Sequence, residues 1–396
     1  MTGTEATSGT RLRAGSIALA VAIVLVPAVV GTKSAEAQTY KEKVLYSFRG
    51  KADGRFPYAG LVRDAAGNLY GTTYQGGAYG LGTVFKLSKT GKKTVLHSFA
   101  RTGGDGANPE AGLVRDAAGN LYGTTPYGGA SGYGTVFMLD TTGKETVLYS
   151  FTGTGGDGAE PLFGYLVRDA AGNLYGTTEG GGASGYGTVF MLDETGNETV
   201  LYSFTGTGGD GTEPAAGLVR DAAGNLYGTT KSGGASGYYG TVFMLDTTGR
   251  ETVLHSFDGS DGADPLAGLV RDAAGNLYGT TNSGDGYGTV FMLDETGKET
   301  VLHSFKRPSR EGAYPFGLVR DAKGNLYGTT FEGGASGLGT VFMLDKTGKE
   351  TVLHRFAGSD GAYPDAGLVR DAKGNLYGTT SIGGAYEDGT MFELTP

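Results

Sequence analysis

The chain has 396 residues, no cysteine and a formal net charge of −9, from 32 lysines and arginines against 41 aspartates and glutamates. The absence of cysteine excludes disulfides, thiol catalysis and cysteine-based zinc sites. An acidic surface repels phosphate backbones, so we expect no nucleic-acid partner.

At the N-terminus, residues 1–37 are typical of a secretory signal peptide. Arg11 and Arg13 precede an apolar run over residues 17–30, and Ala35-Glu36-Ala37 places small residues at the spacing of a cleavage site. The apolar run has about 14 residues, fewer than the ~20 that span a bilayer. We therefore predict an exported mature chain that begins near Gln38 and has no transmembrane segment. An uncleaved membrane anchor is the alternative.

The rest of the chain repeats one motif seven times with small variations. The motif runs Gly-Leu-Val-Arg-Asp-Ala-(Ala/Lys)-Gly-Asn-Leu-Tyr-Gly-Thr-Thr, a glycine-rich stretch, Gly-Thr-Val-Phe-Met-Leu, a second turn and Glu-Thr-Val-Leu-His-Ser-Phe. A period of about 51 residues is typical of units that bury their apolar faces only against neighbouring copies. The leucine before Val-Arg marks each copy, at Leu61, Leu113, Leu166, Leu218, Leu269, Leu318 and Leu368.

Each unit predicts four strands joined by turns. In the second unit the strands are Gly112 to Arg115, Leu121 to Thr125, Thr135 to Leu139 and Glu145 to Phe151, with a tight turn over residues 116–120. Apolar residues fall on both faces of these strands, so each sheet must be covered on both sides. Four-stranded sheets stacked around an axis meet that need, which is the arrangement of a β-propeller.

The two ends of the repeat region complement each other. Residues 41–48 read as a fourth strand without its first three, and residues 389–394 read as a third strand without its fourth. Pairing them completes a seventh blade and removes the open sheet edges that invite aggregation. We therefore predict an all-β fold, a seven-bladed β-propeller of four-stranded antiparallel blades, as a single domain over residues 38–396.

An acid recurs in a Gly-x-x-Pro context between the units. One interpretation is a ring of carboxylates that holds calcium, but acids spread around a ring converge only near the axis. The favoured interpretation is an acid that caps a turn while proline fixes the entry to the next blade. The acids are Asp53, Asp105, Asp157, Asp210, Asp261, Glu311 and Asp360.

Arginine and histidine recur in register too. The seven arginines of the Val-Arg step suggest either an anion-binding ring or, as we favour, a structural ring salt-bridged to the acids of the tight turns. His97, His255, His303 and His354 take the place that tyrosine has in other units, which indicates a packing slot. No phosphate-binding loop, Ser/His/Asp set or metal-ligand spacing stands apart from the repeat. We therefore expect no catalytic residue, metal or cofactor.

The positions that differ between copies are the candidates for function. The residue after Leu-Tyr-Gly-Thr-Thr, or the one beyond it, varies between polar and aromatic types, and a tyrosine recurs a few residues later on the same predicted face. Variable polar groups beside tyrosines suit a saccharide or peptide ligand, whereas drift of loop tips and tyrosines packed between blades is the structural alternative. The candidate ligand-binding residues are Tyr74, Tyr127, Glu179, Lys231, Asn282, Phe331, Tyr133, Tyr186 and Tyr287.

The repeated Leu-Tyr-Gly-Thr-Thr, Gly-Thr-Val-Phe and Val-Leu-His-Ser-Phe segments resemble those of the choice-of-anchor tandem repeat GloVer-containing proteins. The resemblance covers residues 41–396 and implies bacterial export with a variable C-terminal anchor, but no activity. Because Pro396 directly follows a predicted strand, we expect a periplasmic or released protein rather than an anchored one. The Asp-Ala-Ala-Gly-Asn-Leu-Tyr segments are also similar to hairpins of NHL-type and lactonase-like propellers, whose metal ligands find no match here.

Three hypotheses for function follow. The leading one is a secreted, non-enzymatic scaffold that binds a polysaccharide, peptide or protein through its top-face loops, because symmetric rings supply copies of one group whereas catalysis needs different groups at one point. A structural cell-envelope protein is one alternative. The other is a lactonase- or lyase-like enzyme built from symmetry-breaking residues, namely Glu179, Asn282, Asp285, Glu332, Glu387 and Asp388.

Overall fold

The computed structural model describes residues 40–308 and 310–396, and these form a seven-bladed β-propeller. The predicted fold class is thereby confirmed, while the predicted signal peptide lies outside the described residues. The one helical element in the described part of the chain is a 3-10 turn over Lys51–Asp53. None of the helical segments described is long and apolar enough to cross a membrane.

Blades 1 to 7 follow the chain order, and each has four antiparallel strands from the axis outward. The first strands are Val62–Arg63, Val114–Arg115, Val167–Arg168, Val219–Arg220, Val270–Arg271, Val319–Arg320 and Val369–Arg370. The second strands are Leu69–Thr73, Leu121–Thr125, Leu174–Thr178, Leu226–Thr230, Leu277–Thr281, Leu326–Glu332 and Leu376–Thr380. The third strands are Thr83–Leu87, Thr135–Leu139, Thr188–Leu192, Thr241–Leu245, Thr289–Leu293, Thr340–Leu344 and Thr390–Thr395. The fourth strands are Lys93–Ser98, Glu145–Ser150, Glu198–Ser203, Glu251–Ser256, Glu299–Ser304, Glu350–Arg355 and, for blade 7, Lys41–Ser47.

Short strand pairs join the linkers to the glycine-rich loops. They are Gly106–Ala107 with Tyr127–Gly128, Gly158–Ala159 with Gly180–Gly181, and Gly211–Thr212 with Ser232–Gly233. In blade 6, Ala313–Pro315 pairs with the long second strand. The first strands are shorter than predicted because the residues before them, such as Gly112, line the axis instead of pairing.

The ring closes through the two ends of the repeat region, as predicted. Lys41–Ser47 pairs antiparallel with Thr390–Thr395, and Val44 lies opposite Phe392. Phe48, which follows the closing strand, is fully buried against Phe85 of blade 1 with ring centroids 5.2 Å apart. The N-terminal strand therefore completes blade 7 and packs on blade 1.

The core lies between neighbouring blades. Phe151, after the fourth strand of blade 2, packs edge-on against Phe190 of blade 3 at 5.2 Å, and the same pair recurs around the ring. Within a blade, the third-strand ring of Phe137 crosses Gly123, where an added Cβ would lie 2.7 Å from the ring. The glycine of Leu-Tyr-Gly-Thr-Thr is thus required for this close approach.

A threonine ties most blades to the next linker near the axis. Thr177 of blade 3 donates its hydroxyl to the Ala216 carbonyl at 2.9 Å, and Thr329 makes the same bond to Ala366 at 2.8 Å. Thr124 and Thr280 have no such partner among the described residues, although both hydroxyls are buried. These two threonines face the linkers into blades 3 and 6. There the leucine follows the proline by five and three positions, whereas it follows by four in the other linkers.

Candidate binding site on the ring axis

The seven linkers meet around the axis on the top face, and the residue after the linker proline is of six different types in the seven copies. These residues are Tyr58, Glu110, Leu162, Ala215, Leu266, Phe316 and Asp365. Asp365, Tyr58 and Glu110 are consecutive around the ring because their linkers enter blades 7, 1 and 2. The opening therefore has one carboxyl group on each side of Tyr58, and apolar groups opposite.

This opening leads into a cavity. Its mouth has a volume of about 390 Å³ and is lined by Tyr58, Tyr74, Glu110, Phe163, Leu266, Phe316, Phe331 and Asp365. A side lobe of about 310 Å³ extends toward Asn282, Tyr314 and Glu332. A further part of about 230 Å³ continues along the axis to Tyr165 and the linker glycines. Cavities of this size, mostly apolar with a few polar groups, are typical of small-ligand sites.

Tyr165 forms the floor of the cavity. The linker into blade 3 has one residue more between its proline and leucine than most. The Tyr165 side chain lies against Gly112 of the linker into blade 2 and reaches Gly60 of the linker into blade 1. Its hydroxyl accepts a hydrogen bond from the backbone N–H of Gly60 at 2.9 Å. Burial raises the pKa of Tyr165, against a smaller opposing effect of that hydrogen bond, so the phenol is neutral near pH 7.

The two carboxyl groups of the cavity hold their protons unusually tightly. Burial raises the pKa of Asp365 to about 7, and a hydrogen bond with Ser381 offsets only part of that effect. Burial and the charge of Glu179 raise the pKa of Glu110 to about 7. Each group is therefore able to donate or to accept a hydrogen bond at neutral pH.

Three of the predicted ligand residues border the cavity. Tyr74 and Phe331 line its mouth, and Asn282 lines the side lobe. The Tyr74 ring packs against Tyr58 with centroids 5.3 Å apart, which fixes both rings. The Oδ1 atom of Asn282 is buried and has no hydrogen-bond partner among the described residues, so it is a free acceptor beside the lobe.

Three others, Tyr127, Glu179 and Lys231, lie at the edge of the opening. Tyr127 is close enough to Glu110 for the carboxylate to raise its pKa, after a larger effect of burial. Lys231 forms ion pairs with Glu213 at 3.3 Å and Glu179 at 3.7 Å. The charges of these three side chains largely neutralise each other, so the edge of the opening presents no strong electrostatic field to a ligand.

The recurring loop tyrosines lie farther out. Tyr133, Tyr186 and Tyr287 are 42%, 46% and 39% exposed, and the first two pack over Gly153 and Gly206 of the following linker. The described lining of the cavity includes none of the three. Their contacts match the structural alternative, tyrosines that pack against a neighbouring linker.

The residues considered for an enzyme are spread over the top face. Asn282 and Glu332 border the side lobe, and Glu179 pairs with Lys231. Asp285 lies on an outer loop and pairs with Lys306 at 2.8 Å. Glu387 and Asp388 belong to the glycine-rich loop of blade 7 and do not line the cavity in the described structure.

The recurring acids cap the linkers, as favoured from the sequence. Each accepts a hydrogen bond from the backbone N–H of the residue that follows the fourth-strand phenylalanine, at 2.7–3.3 Å. The interpretation of the Tyr/His position as a mere packing slot was incomplete. His255 and His354 contact Asp261 and Asp360 at 2.8 and 2.9 Å, and Tyr202 donates to Asp210 at 3.1 Å.

The recurring arginines are structural, but salt bridges are the smaller part of their interactions. Arg63 and Arg320 approach Asp371 and Asp272 at 3.8 and 3.5 Å. Six arginines, these two included, place the guanidinium over the second-strand tyrosine of the preceding blade, at 5.3–5.7 Å from the ring centroid. The prediction of a salt-bridged ring is therefore replaced by one of cation–π stacking between blades.

Sequence reasoning missed Tyr58, Glu110, Phe163, Tyr165 and Asp365, because the invariant proline made the linker look like scaffold. Two signals were available. The residue after the proline is of six different types in the seven linkers, and the spacing of 53 residues before Leu166 is the longest of the set.

Comparison with solved structures supports the fold. The extracellular domains of a hybrid two-component system and of a one-component system, both from B. thetaiotaomicron, are 12% and 10% identical to the chain and cover 90% of it, with TM-scores of 0.58 and 0.57. The match spans only 41% and 40% of those two chains. At this identity the likeness shows the fold alone.

A gluconolactonase from Xanthomonas campestris is 16% identical, with 70% of this chain and 82% of that one covered, but its TM-score of 0.44 is too low to carry an argument about activity. No curated protein matches the chain. The sequence model of the Gloeobacter/Verrucomicrobia repeat, in contrast, matches residues 32–167, 154–316 and 285–396. The resemblance noted in the repeats is confirmed, and the chain belongs to the family of Gloeobacter/Verrucomicrobia repeat proteins.

Proposed function

We propose that this protein is an exported, non-enzymatic binding protein that holds the end or a branch of a carbohydrate chain in the axial cavity. The observation that carries the proposal is the loss of sevenfold symmetry at one place. The residue after the linker proline is of six different types in the seven copies. Five of these side chains converge on one concave site.

The chemistry of the lining favours a saccharide. Aromatic side chains supply flat apolar faces on which the C–H face of a sugar ring packs. The carboxyl groups of Glu110 and Asp365 stand beside those faces and suit hydroxyl groups, which both donate and accept hydrogen bonds. Asn282 adds a buried acceptor that has no partner among the described residues.

The shape of the cavity favours a chain end over a long segment. Tyr165 occupies part of the axis below the mouth, which leaves less room for a polymer to pass through. A peptide or a protein surface would have to contact the outer loops, where the predicted tyrosines pack against linkers. We therefore favour a terminal sugar or a branch over these two ligand classes.

Export rests on the N-terminal segment. Two arginines, an apolar run too short for a membrane span and an Ala-Glu-Ala site precede the propeller. Mass determination of the protein recovered from the periplasm or medium tests this point, with a mature N-terminus near Gln38 expected. Retention of residues 1–37 would contradict it.

A glycan array followed by calorimetry tests the binding function. We expect binding of a restricted set of glycans, and we expect Phe331→Ala and Asp365→Ala to weaken it. Loss of one stacking contact corresponds to about 1 kcal/mol, or roughly a fivefold weaker Kd. Tyr238→Ala is the matched control, since this tyrosine is 76% exposed and lies outside the cavity lining. Binding that survives both cavity variants, or no glycan bound, would overturn the proposal.

One observation favours an enzyme as second candidate. Glu110 and Asp365 share one cavity, and burial raises both pKa values to about 7, the range that suits proton transfer at neutral pH. Turnover of a lactone or an oligosaccharide that is lost in Glu110→Gln and in Asp365→Asn would establish it. Binding without turnover favours the scaffold, and self-association without either favours a structural envelope protein.

A further inference from the structure

The outer rim of the propeller repeats a three-residue cluster at each junction between blades. It combines the Tyr or His of one fourth strand, the acid of the linker and the residue that opens the fourth strand of the next blade. We call these the rim clusters. They are Tyr46–Asp53–Lys93, His97–Asp105–Glu145, Tyr149–Asp157–Glu198, Tyr202–Asp210–Glu251, His255–Asp261–Glu299, His303–Glu311–Glu350 and His354–Asp360–Glu42.

Two rim clusters bring together three metal-ligating side chains. The donor atoms of His97, Asp105 and Glu145 all lie within 4.8 Å of one another, and those of His354, Asp360 and Glu42 do the same. In the part of the chain that the structure describes, these are the two places where His and carboxylate donors converge in threes. The other rim clusters have tyrosine in place of histidine, or a glutamate that lies too far away.

Buried atoms without partners point to a ligand in the first cluster. There His97 Nε2, Asp105 Oδ1 and Glu145 Oε1 are all buried without a hydrogen-bond partner in the described structure, and His97 Nε2 lies 3.4 Å from Asp105 Oδ2. In the second cluster Glu42 Oε1 is the buried atom without a partner among the described residues. A buried polar atom that stays unpaired destabilises the fold. Three such atoms in one cluster form a set of donors that a single ion can contact.

The equivalent position between blades 7 and 1 already holds a cation. There Lys93 stands where the other clusters have glutamate, and its side chain is only 2% exposed. Its ammonium group pairs with Asp53 Oδ1 at 2.9 Å and also donates to the Asp53 carbonyl. The rim pocket therefore has the shape and the acidity to hold a buried positive charge.

We propose that the His97–Asp105–Glu145 and His354–Asp360–Glu42 clusters each bind one divalent transition-metal ion. One imidazole nitrogen and two carboxylate oxygens suit zinc, with water as a fourth ligand. Zinc bonds of about 2.0–2.2 Å require the donors to lie roughly 3.3 Å apart. The His354–Asp360 and His97–Asp105 donors lie 2.9 and 3.4 Å apart, close to that spacing, and the glutamate donors lie within 4.8 Å of them.

The ions would fasten the ring next to its closing blade. One site joins the fourth strand of blade 6 to the closing strand through Glu42, and the other joins blade 1 to blade 2. With Lys93 between them, three successive junctions would carry a cation. This role is independent of the axial cavity.

Metal analysis of the purified full-length protein tests the proposal directly. After loading with ZnCl2 and extensive dialysis, inductively coupled plasma mass spectrometry should find two zinc ions per chain. His97→Tyr and His354→Tyr should each lower this to one, and the double variant to zero. Tyrosine fills this slot in the chain's own Tyr149 and Tyr202 clusters, so the substitutions keep the fold.

Controls separate the sites from adventitious binding. His255→Tyr makes the same change in a cluster without a third donor in reach, and should retain two zinc ions. Zinc should raise the Tm of wild type but not that of the double variant. If the double variant is unstable, Glu42→Gln with Glu145→Gln gives a second readout, again with zinc falling from two to zero. Wild type without zinc after dialysis, or a double variant that keeps it, would overturn the proposal.

Discussion

The hydroxyl of Tyr165 accepts a hydrogen bond from the backbone N–H of Gly60 at 2.9 Å, past the linker into blade 2. The bond joins the linker into blade 3 to the linker into blade 1, which are 105 residues apart in the chain. The residue inserted in the linker into blade 3 therefore places a side chain that contacts the linkers into blades 2 and 1.

Tyr165→Phe tests the bond, and Tyr165→Ala tests the floor. Phenylalanine keeps the ring but leaves the Gly60 N–H unpaired, so we expect the free energy of unfolding to fall by about 1 kcal/mol. Alanine should lower it by about 2–3 kcal/mol, because it also removes packing on the axis. Urea unfolding measures both. Equal stability of all three proteins would show that the floor contributes nothing.

The threonine bonds to the linkers give a matched pair of variants. Thr177→Val removes a buried bond to the Ala216 carbonyl and should cost about 1 kcal/mol of unfolding free energy. Thr124→Val removes a buried hydroxyl that has no partner among the described residues, so it should be neutral or stabilising. The two substitutions are chemically identical, and urea unfolding compares them. Equal losses would contradict the pattern of bonds.

The rim glutamates predict a pH dependence of stability. Burial and the charge of Asp157 raise the pKa of Glu198 to about 7, from an ordinary 4.5. A raised carboxyl pKa means that folding favours the protonated form, so stability is lost as pH rises from about 4.5 through 7. Glu198→Gln mimics the protonated acid. It should be more stable than wild type at pH 8 and equal to it at pH 4, as measured by Tm across that range.

The closing strand predicts complementation by a peptide. A chain that lacks residues 1–48 exposes the edge of Thr390–Thr395 and loses Phe48 from the core, so it should aggregate. A peptide of residues 40–48 should restore a monodisperse protein in size-exclusion chromatography, because it supplies the missing strand. The same peptide with Val44→Pro should fail, since proline cannot complete the strand pairing. A truncated chain that stays monomeric alone would refute this.

The fold was predictable from sequence because each copy of the repeat contains its own strand and turn signals. Leu121 to Thr125 and Thr135 to Leu139 are strands as predicted, since β-branched residues alternate there and Gly119 permits the turn with a φ of +99°. Ring closure followed from the incomplete units at the two ends. These are local signals, and seven copies make them unambiguous.

The cavity was not predictable in the same way. Glu110 and Asp365 are 255 positions apart in the chain, and only the closed ring brings them to one opening. The rim clusters escaped for the same reason, since His97 and Glu145 belong to different blades. Recurrence in register shows which residues share a role, but not which residues meet between copies.

The closing strand also fixes the order in which the protein becomes complete. Lys41 pairs with Thr395, so the first strand to be made waits for the last. Contacts between such distant residues form late, because the entropy of closing so long a loop opposes them. Until residues 390–395 leave the ribosome, blade 7 lacks its third strand and the ring cannot close. Until then the closing strand has no partner, and its open edge is available to other chains.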